Sequence, residues 1–296
     1  MSNFIEDKQE YIISKDQNNN DVTNKTVQDI VFKIILEIDR ICRKHHIDYA
    51  LGFGSALGLY RYGDFIPWDD DADIVIDYFD YERFIEACKK DLSKDFIIDT
   101  YLTNNRYNPL IPAIKIRDRG TLIKEANRFT LPDHIKEKGL FVDICLFMGV
   151  PSDIKEHRKL LGYAKRRMIP FVIGDAFLHL KMNKMRRKLL DYERKVAEKY
   201  KGSEMVSQTV IIPFQDFPKK MVHSLAFPKS VIYPFKEYDF RGHKLYSFNN
   251  IEEFSILRYG ESAKKKYDEA RATYVENYPH KKQKSGHIKR ITFLKN

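Results

Sequence analysis

Cysteine is scarce in this chain, and what little there is rules out two classes of architecture. The three thiols, Cys42, Cys88 and Cys145, are widely separated and form no C-x-x-C pair, which excludes a disulfide framework and a thiolate zinc site and points to a reducing compartment. The nine histidines, among them the His45-His46 pair closing a helical stretch, form no H-E-x-x-H or similar ligand spacing, so no zinc is expected. No apolar run approaches the roughly 18 residues that span a bilayer. The opening MSNFIEDKQEYIIS lacks the basic start and apolar block of a secretory leader, so the expectation is a soluble, cytoplasmic protein. Internal repeats are absent, as are zinc-finger and RNP-like patterns, so no nucleic-acid partner is expected.

Hydrophobic residues, aromatics and positive charge are plentiful. The 296 residues are 43% hydrophobic and 13% aromatic, enough to bury a sizeable core as one large domain or two small ones. Lys and Arg number 52 against 42 Asp and Glu, a net charge of +10 that favours an anionic partner. The excess has an address: residues 155–201 hold 15 Lys and Arg against 5 Asp and Glu, as much as the whole chain's net charge.

The chain divides into five stretches. Residues 1–22, with the run Gln17 to Asn20, read as a flexible arm. Residues 23–151 form a core of alternating helical and strand periods. Val27, Ile30, Val31, Ile34, Ile35, Ile38 and Ile41 recur at helical spacing, and a strand at 48–52, a helix reaching Arg61 and a strand at 71–76 follow. A helix at 81–92 and strands near 96–101, 111–117, 122–126 and 139–147 complete the core. Residues 152–207 are basic helices, at about 153–169, 171–181 and 183–201, interrupted by Pro170. Residues 208–261 are mixed and proline-punctuated, and 262–296 form a helical, basic tail.

The chemistry concentrates in GFGSALGLYRYGDFIPWDDDADIVI, residues 52–76. On a strand, Asp71 and Asp73 project to one face while Ala72 and Ile74 enter the core. Their separation of about 6.5–7 Å suits one divalent ion, or a pair of ions about 3.5–4 Å apart. Asp64, Asp69, Asp70, Asp71 and Asp73 lie within ten positions, and such crowding is costly unless a cation is bound. Upstream, Gly54-Ser55 opens a helix, where backbone N–H groups and a hydroxyl can cradle a phosphate. Asp143 is the sole charge in the apolar strand FVDICLF and needs either a cation or an ion pair with Lys115 or Arg117. Trp68 is read as a packing anchor beneath the acidic loop.

A G-S turn, a helix and D-x-D on the next strand resemble the nucleotidyltransferase superfamily. The longer string GSALGLYRYGDFIPWDDDADIVI resembles the LicD family, as do GLFVDICLFMGVP at 139–151 and the block at 227–261. That resemblance implies an α/β (α+β) fold, a nucleotidyltransferase-type mixed sheet flanked by helices, with 152–207 as a basic helical insertion and 208–261 as a C-terminal LicD-like block. It also implies a metal-dependent phosphotransferase. Asp71, Asp73 and Asp143 match the metal-binding positions, for Mg²⁺ or Mn²⁺ and two ions in all, and Ser55 matches the hydroxyl of the phosphate turn. Glu237 matches loosely an acidic position that would place acceptor or ion. The implied donor is CDP-linked, carrying phosphocholine or a polyol phosphate, and the implied acceptor is a hydroxyl of a cell-surface glycan or its lipid-linked precursor. CMP would be released.

Lys115, Arg117 and Arg119 alternate along one strand face where they could meet donor phosphates, and Arg61 follows Ser55 by a helical stretch. The basic segment carries apolar residues (Leu160, Leu161, Met168, Ile169, Phe171, Val172, Phe177, Leu178) beside Arg166, Arg167, Arg186 and Arg187, a composition suited to peripheral contact with the inner membrane face. Two alternatives stay open: a conventional NTP-dependent nucleotidyltransferase releasing pyrophosphate, and a non-catalytic basic protein that binds nucleic acid or membrane.

Overall fold

The computed structural model describes residues 12–100, 114–125, 139–174, 180, 182–209, 226–265 and 288–294. Strands β1 (Ile12–Lys15) and β2 (Asp21–Thr23) pair as a hairpin, followed by helix α1 (Asn24–His45), strand β3 (Tyr49–Leu51) and helix α2 (Phe53–Tyr62). Then come β4 (Asp73–Asp77), α3 (Tyr81–Asp91), β5 (Phe96–Thr100), β6 (Ile114–Asp118), β7 (Thr121–Glu125) and β8 (Phe141–Val150). The helices α4 (Ile154–Val172) and α5 (Asn183–Lys199) precede β9 (Met205–Gln208), β10 (Phe227–Pro228) and α6 (Lys229–Ile232). The hairpin β11 (Lys236–Phe240) and β12 (His243–Ser247), helix α7 (Ile251–Tyr259) and strand β13 (Ile288–Phe293) complete the described chain.

Helix α1 is the spine of the core. Val27, Val31, Ile34, Ile35, Ile38, Ile41 and Cys42 are all buried along one stripe. At about 1.5–3 kcal/mol per buried side chain, that stripe outweighs the roughly 1 kcal/mol contributed by the Thr23 cap. Thr23 and Thr26 nonetheless close a reciprocal capping box, and His46 ends the helix in the left-handed region, at φ 53°.

The main sheet is mixed and nine-stranded, in the order β10-β9-β8-β4-β3-β12-β11, with β6 also on β8 and β5 on β6. Strand β8 is its hub. One edge of β8 runs parallel to β4, while the other is shared by β6 along Phe141–Ile144 and by β9 along Phe147–Val150. Alternate β8 residues therefore serve two layers: Val142, Ile144 and Leu146 face the α1 core, whereas Cys145 and Phe147 join Phe53, Phe248 and Phe254 on the other side. This is the α/β mixed sheet flanked by helices that the motif implied.

Several local expectations are corrected. The polar arm is structured from Ile12, because the Asp16 carboxylate accepts from the N–H groups of Asn18 and Asn20 and turns the chain into the β1–β2 hairpin. The tail contributes strand β13, which pairs with β7, and the Ile291 N–H donates to Ser14 Oγ at 3.2 Å, so the first and last described strands meet. Pro170 does not interrupt α4; it lies within the helix's last turn, so the helix ends two residues beyond it. Much of the apolar content of α4 and α5 is core: Leu161, Met168 and Phe171 are buried, and Arg186 is buried with its guanidinium 5.7 Å from the Phe171 ring centre. Ile169 and Ile173 remain exposed. Phe177, Leu178 and the expected strand segments at 101, 111–113 and 126 lie outside the described residues.

Candidate active site

The site is assembled where β3 hands the chain to α2. Gly52 caps α2 on a crowded floor, since a Cβ there would sit 2.6 Å from Val75 Cγ2. Phe53 follows with φ 44°, a left-handed conformation costly for an aromatic residue, stabilised by ring contacts to Phe147 at 5.7 Å and Phe254 at 6.3 Å. The reversal aims the first amides of α2, those of Phe53, Gly54 and Ser55, away from any intrahelical acceptor. Gly54 is pressed against the acidic loop, where a Cβ would lie 3.2 Å from Asp69 Oδ2.

Ser55 is buried and its Oγ accepts the Asp73 N–H at 3.0 Å, while the Asp73 carbonyl accepts the Gly52 N–H at 2.9 Å. The phosphate-turn serine thus also fixes the backbone of the second aspartate. Asp71 lies just before β4, and extended pairing reaches back through Ala72, whose carbonyl accepts the Asp143 N–H at 2.9 Å. Ala72 is buried in the core and the flanking Asp71 and Asp73 are half-buried, as strand alternation required.

Helix α1 fixes the acidic loop from beneath. Asn24 Nδ2 donates to the Pro67 carbonyl at 2.7 Å, and Gln28 Nε2 donates to the carbonyls of Ile66 at 3.2 Å and Asp69 at 2.9 Å. Both amides are buried. Trp68 packs with Leu57, Ile66 and Ala263, the anchoring role its position suggested. Carboxylate oxygens of Asp69, Asp70 and Asp71 lie within 4.8 Å of one another, and Asp70 accepts the Ile288 N–H at 2.9 Å, tying the tail strand to the site.

The third carboxylate arrives on β8. Parallel register places Asp143 directly beside Asp73, and antiparallel register on the other edge places Lys115 beside Asp143. The buried Lys115 ammonium pairs with Asp143 and lies 3.2 Å from the Phe141 ring centre. Burial raises the Asp143 carboxyl above its ordinary range; Lys115 opposes the shift and Asp71 adds to it. Asp69, Asp70 and Asp71 form a close trio of the hard oxygen donors that divalent cations favour, and Asp73 and Asp143 stand side by side on β4 and β8 with Lys115 against Asp143.

Gly54, Ser55, Asp71, Asp73, Asp143 and Lys115 are therefore brought together, whereas the other candidates are engaged elsewhere. Lys115 faces a carboxylate. Arg117, fully buried, donates to Asp99 at 3.3 Å and to the Gly139 carbonyl at 3.2 Å. Arg119 donates to the Phe96 carbonyl at 3.1 Å. Arg61 donates to the carbonyls of Ala263, at 2.8 Å, and Ser262, clamping the turn after α7. Glu237 pairs with Arg43 at 2.8 Å near the end of α1.

Sequence reasoning missed α7 and its contribution. Asn250 caps the helix by accepting the Glu253 N–H at 3.0 Å, and the N-x-x-E spacing was the available signal. Its last residues pack against α2 and the loop that follows it, Arg258 over the Phe53 ring at 5.1 Å and Tyr259 against Leu57 and Ile66. Burial pushes the Tyr259 phenol up, Arg258 pulls it down, and Asp73 and Asp69 push it further up.

Comparison with known proteins gives two matches. Residues 46–109 match the family described as LicD/FKTN/FKRP, nucleotidyltransferase domain, a span that includes α2, the acidic loop, Asp71 and Asp73. The chain is also 24% identical over 290 residues to the lipopolysaccharide cholinephosphotransferase LicD of Haemophilus influenzae, covering 92% of this chain and 99% of that protein. The resemblance read from the FIPWDDD string is borne out.

Proposed function

We propose that this LicD-type nucleotidyltransferase domain is the centre of a metal-dependent phosphotransferase acting on a cell-surface glycan or its lipid-linked precursor. The donor is a CDP-linked phosphocholine or polyol phosphate. An acceptor hydroxyl oxygen bonds to the head-group phosphorus as the P–O bond to CMP breaks, with the hydroxyl proton released to solvent. The observation that carries this reading is the side-by-side register of Asp73 and Asp143, with Asp71 adjacent, at the mouth of the α2 turn.

Asp71, Asp73 and Asp143 would hold Mg²⁺ or Mn²⁺, which would supply charge neutralisation at the reacting phosphate and lower the pKa of the attacking hydroxyl. The chain's own groups do the positioning. Ser55 and Gly52 hold the Asp73 backbone on both sides, Lys115 offsets the charge of Asp143, and the α2 amides offer hydrogen bonds to a donor phosphate. Asn24 and Gln28 keep the acidic loop at a fixed height on the core.

The reading also assigns the basic segment to an anionic membrane face. Ile169 and Ile173, 51% and 49% exposed, emerge beside the exposed Lys165, Arg166 and Arg167. Among the described residues no helix is long and apolar enough to cross a membrane, so contact would be peripheral.

Incubation with labelled CDP-choline, CDP-ribitol and ATP in Mg²⁺ tests the assignment. Release of CMP without pyrophosphate is expected. Pyrophosphate release from ATP, with the CDP-linked donors untouched, would move the protein to the conventional nucleotidyltransferases.

A further inference from the structure

The nearby cations are mostly committed. Lys115 serves Asp143, Arg117 serves Asp99 and Gly139, and Arg61 serves the carbonyls of residues 262 and 263. Arg258 is different. Its guanidinium carbon lies 5.1 Å from the ring centre of Phe53, the residue whose left-handed backbone opens α2. Its Nε is buried with no hydrogen-bond partner among the described residues. No ion pair joins it to a carboxylate among those residues, and the Phe53 ring it lies over directly precedes Gly54, where an added Cβ would lie 3.2 Å from Asp69 Oδ2. The Cys145 thiol, which follows Asp143 on the same face of β8, is influenced by Asp73, Asp143 and Lys115 and also by Arg258.

A guanidinium held on an aromatic ring, with an unused buried N–H and carboxylates close by, is arranged to receive an anion that itself brings a metal ion. Its planar fork matches two oxygens of one phosphate. We infer that Arg258 is a binding residue for a phosphate of a diphosphate-containing ligand, held between α7 and the α2 turn. This rests on the phosphotransferase reading only for the identity of the nucleoside. Because Arg258 sits at the C-terminal end of α7, the inference gives that helix a role in the site beyond packing.

The test compares the parent with Arg258→Gln and Arg258→Lys, using calorimetric binding of CDP, ADP and inorganic pyrophosphate, each with Mg²⁺, and of Mg²⁺ alone. Arg258→Gln is expected to weaken each diphosphate that the parent binds by about 10- to 100-fold, the scale of a lost charge-assisted hydrogen-bond pair. Mg²⁺ binding and melting temperature should be unchanged, and Arg258→Lys should fall between. A purely structural arginine would instead shift melting and Mg²⁺ binding together with the diphosphates, which would overturn the inference. Equal diphosphate affinity in the parent and both variants would also overturn it, as would a parent that binds none of the three. Diphosphate binding that depends on Arg258 but favours neither cytidine nor CMP release would sink the proposed donor while leaving Arg258 in place. CMP release with an unaltered donor KM in Arg258→Gln would do the reverse.

Discussion

Replacing Lys115 by methionine probes the electrostatic construction of the site most sharply. The side chain is 3% exposed, and its ammonium pairs with Asp143 and lies over the Phe141 ring. Methionine keeps the packing and deletes the charge, leaving Asp143 buried beside Asp71 and Asp73. Breaking a buried pair by removing one partner costs about 3–5 kcal/mol, a large part of the roughly 5–15 kcal/mol that separates folded from unfolded domains. Asp143→Asn should cost a comparable amount, because it strands the ammonium. The double variant Lys115→Met/Asp143→Asn strands neither, so its cost should fall below the sum of the singles by about 2–3 kcal/mol. Urea denaturation at pH 7 measures all four corners of the cycle. Mg²⁺ adds a second axis: it should recover stability in Lys115→Met, where the carboxylates lack their cation, and much less in the double variant. Additive singles, or a Lys115→Met protein indifferent to Mg²⁺, would refute the view that Lys115 offsets a metal-binding carboxylate.

Glu193, on α5 and 2% exposed, has its carboxyl pushed up to about 8 by burial, with a hydrogen bond from Thr209 opposing the shift. Its folded value exceeds the unfolded 4.5, so the folded state holds the proton more tightly and stability falls as pH rises from about 4.5 through about 8. The loss is on the order of 4–5 kcal/mol, and thermal melts should show Glu193→Gln gaining on the parent at pH 9 but matching it near pH 5; an unchanged pH slope would be contrary. Ser55→Ala removes the acceptor for the Asp73 N–H and should cost about 1–3 kcal/mol by chemical denaturation, together with a fall in kcat from a loosened Asp73. Ile169→Ser/Ile173→Ser with Arg166→Glu should abolish sedimentation with phosphatidylserine vesicles and leave solution turnover intact; a parent that ignores anionic vesicles would end the membrane assignment.

The legible part of this fold was the part governed by local periodicity. The α1 stripe, the shared face of Asp71 and Asp73 about Ala72 and the lone charge on β8 all follow from which residues tolerate burial, while the grouping of Asp143 with Asp71 and Asp73 was implied by the family resemblance. What escaped depended on partners distant in sequence. Arg117 and Arg61 look like phosphate ligands until Asp99 and the carbonyls of residues 262 and 263 arrive from elsewhere in the chain. Asn24 and Gln28 look like polar helix residues, yet they are buried beneath a loop some forty positions away. Strand β13 was hidden by its lysine and arginine, which occupy outward positions while Ile288 and Ile291 are buried. The β11–β12 hairpin turns at Arg241 and Gly242, both at positive φ, so Arg-Gly takes the place usually filled by Asn-Gly. Helix α7 carries only two buried residues, Phe254 and Ser255, too few to print a clear period.

The central claim is that the three aspartates gathered by β4 and β8 make the protein a phosphotransferase. The most direct measurement is CMP release from CDP-choline and CDP-ribitol in Mg²⁺, with a glycan acceptor present, by the parent and by Asp73→Asn. The account predicts CMP without pyrophosphate from the parent, and a loss of about a thousandfold or more in Asp73→Asn at an unchanged melting temperature. Turnover in Asp73→Asn equal to that of the parent would contradict it.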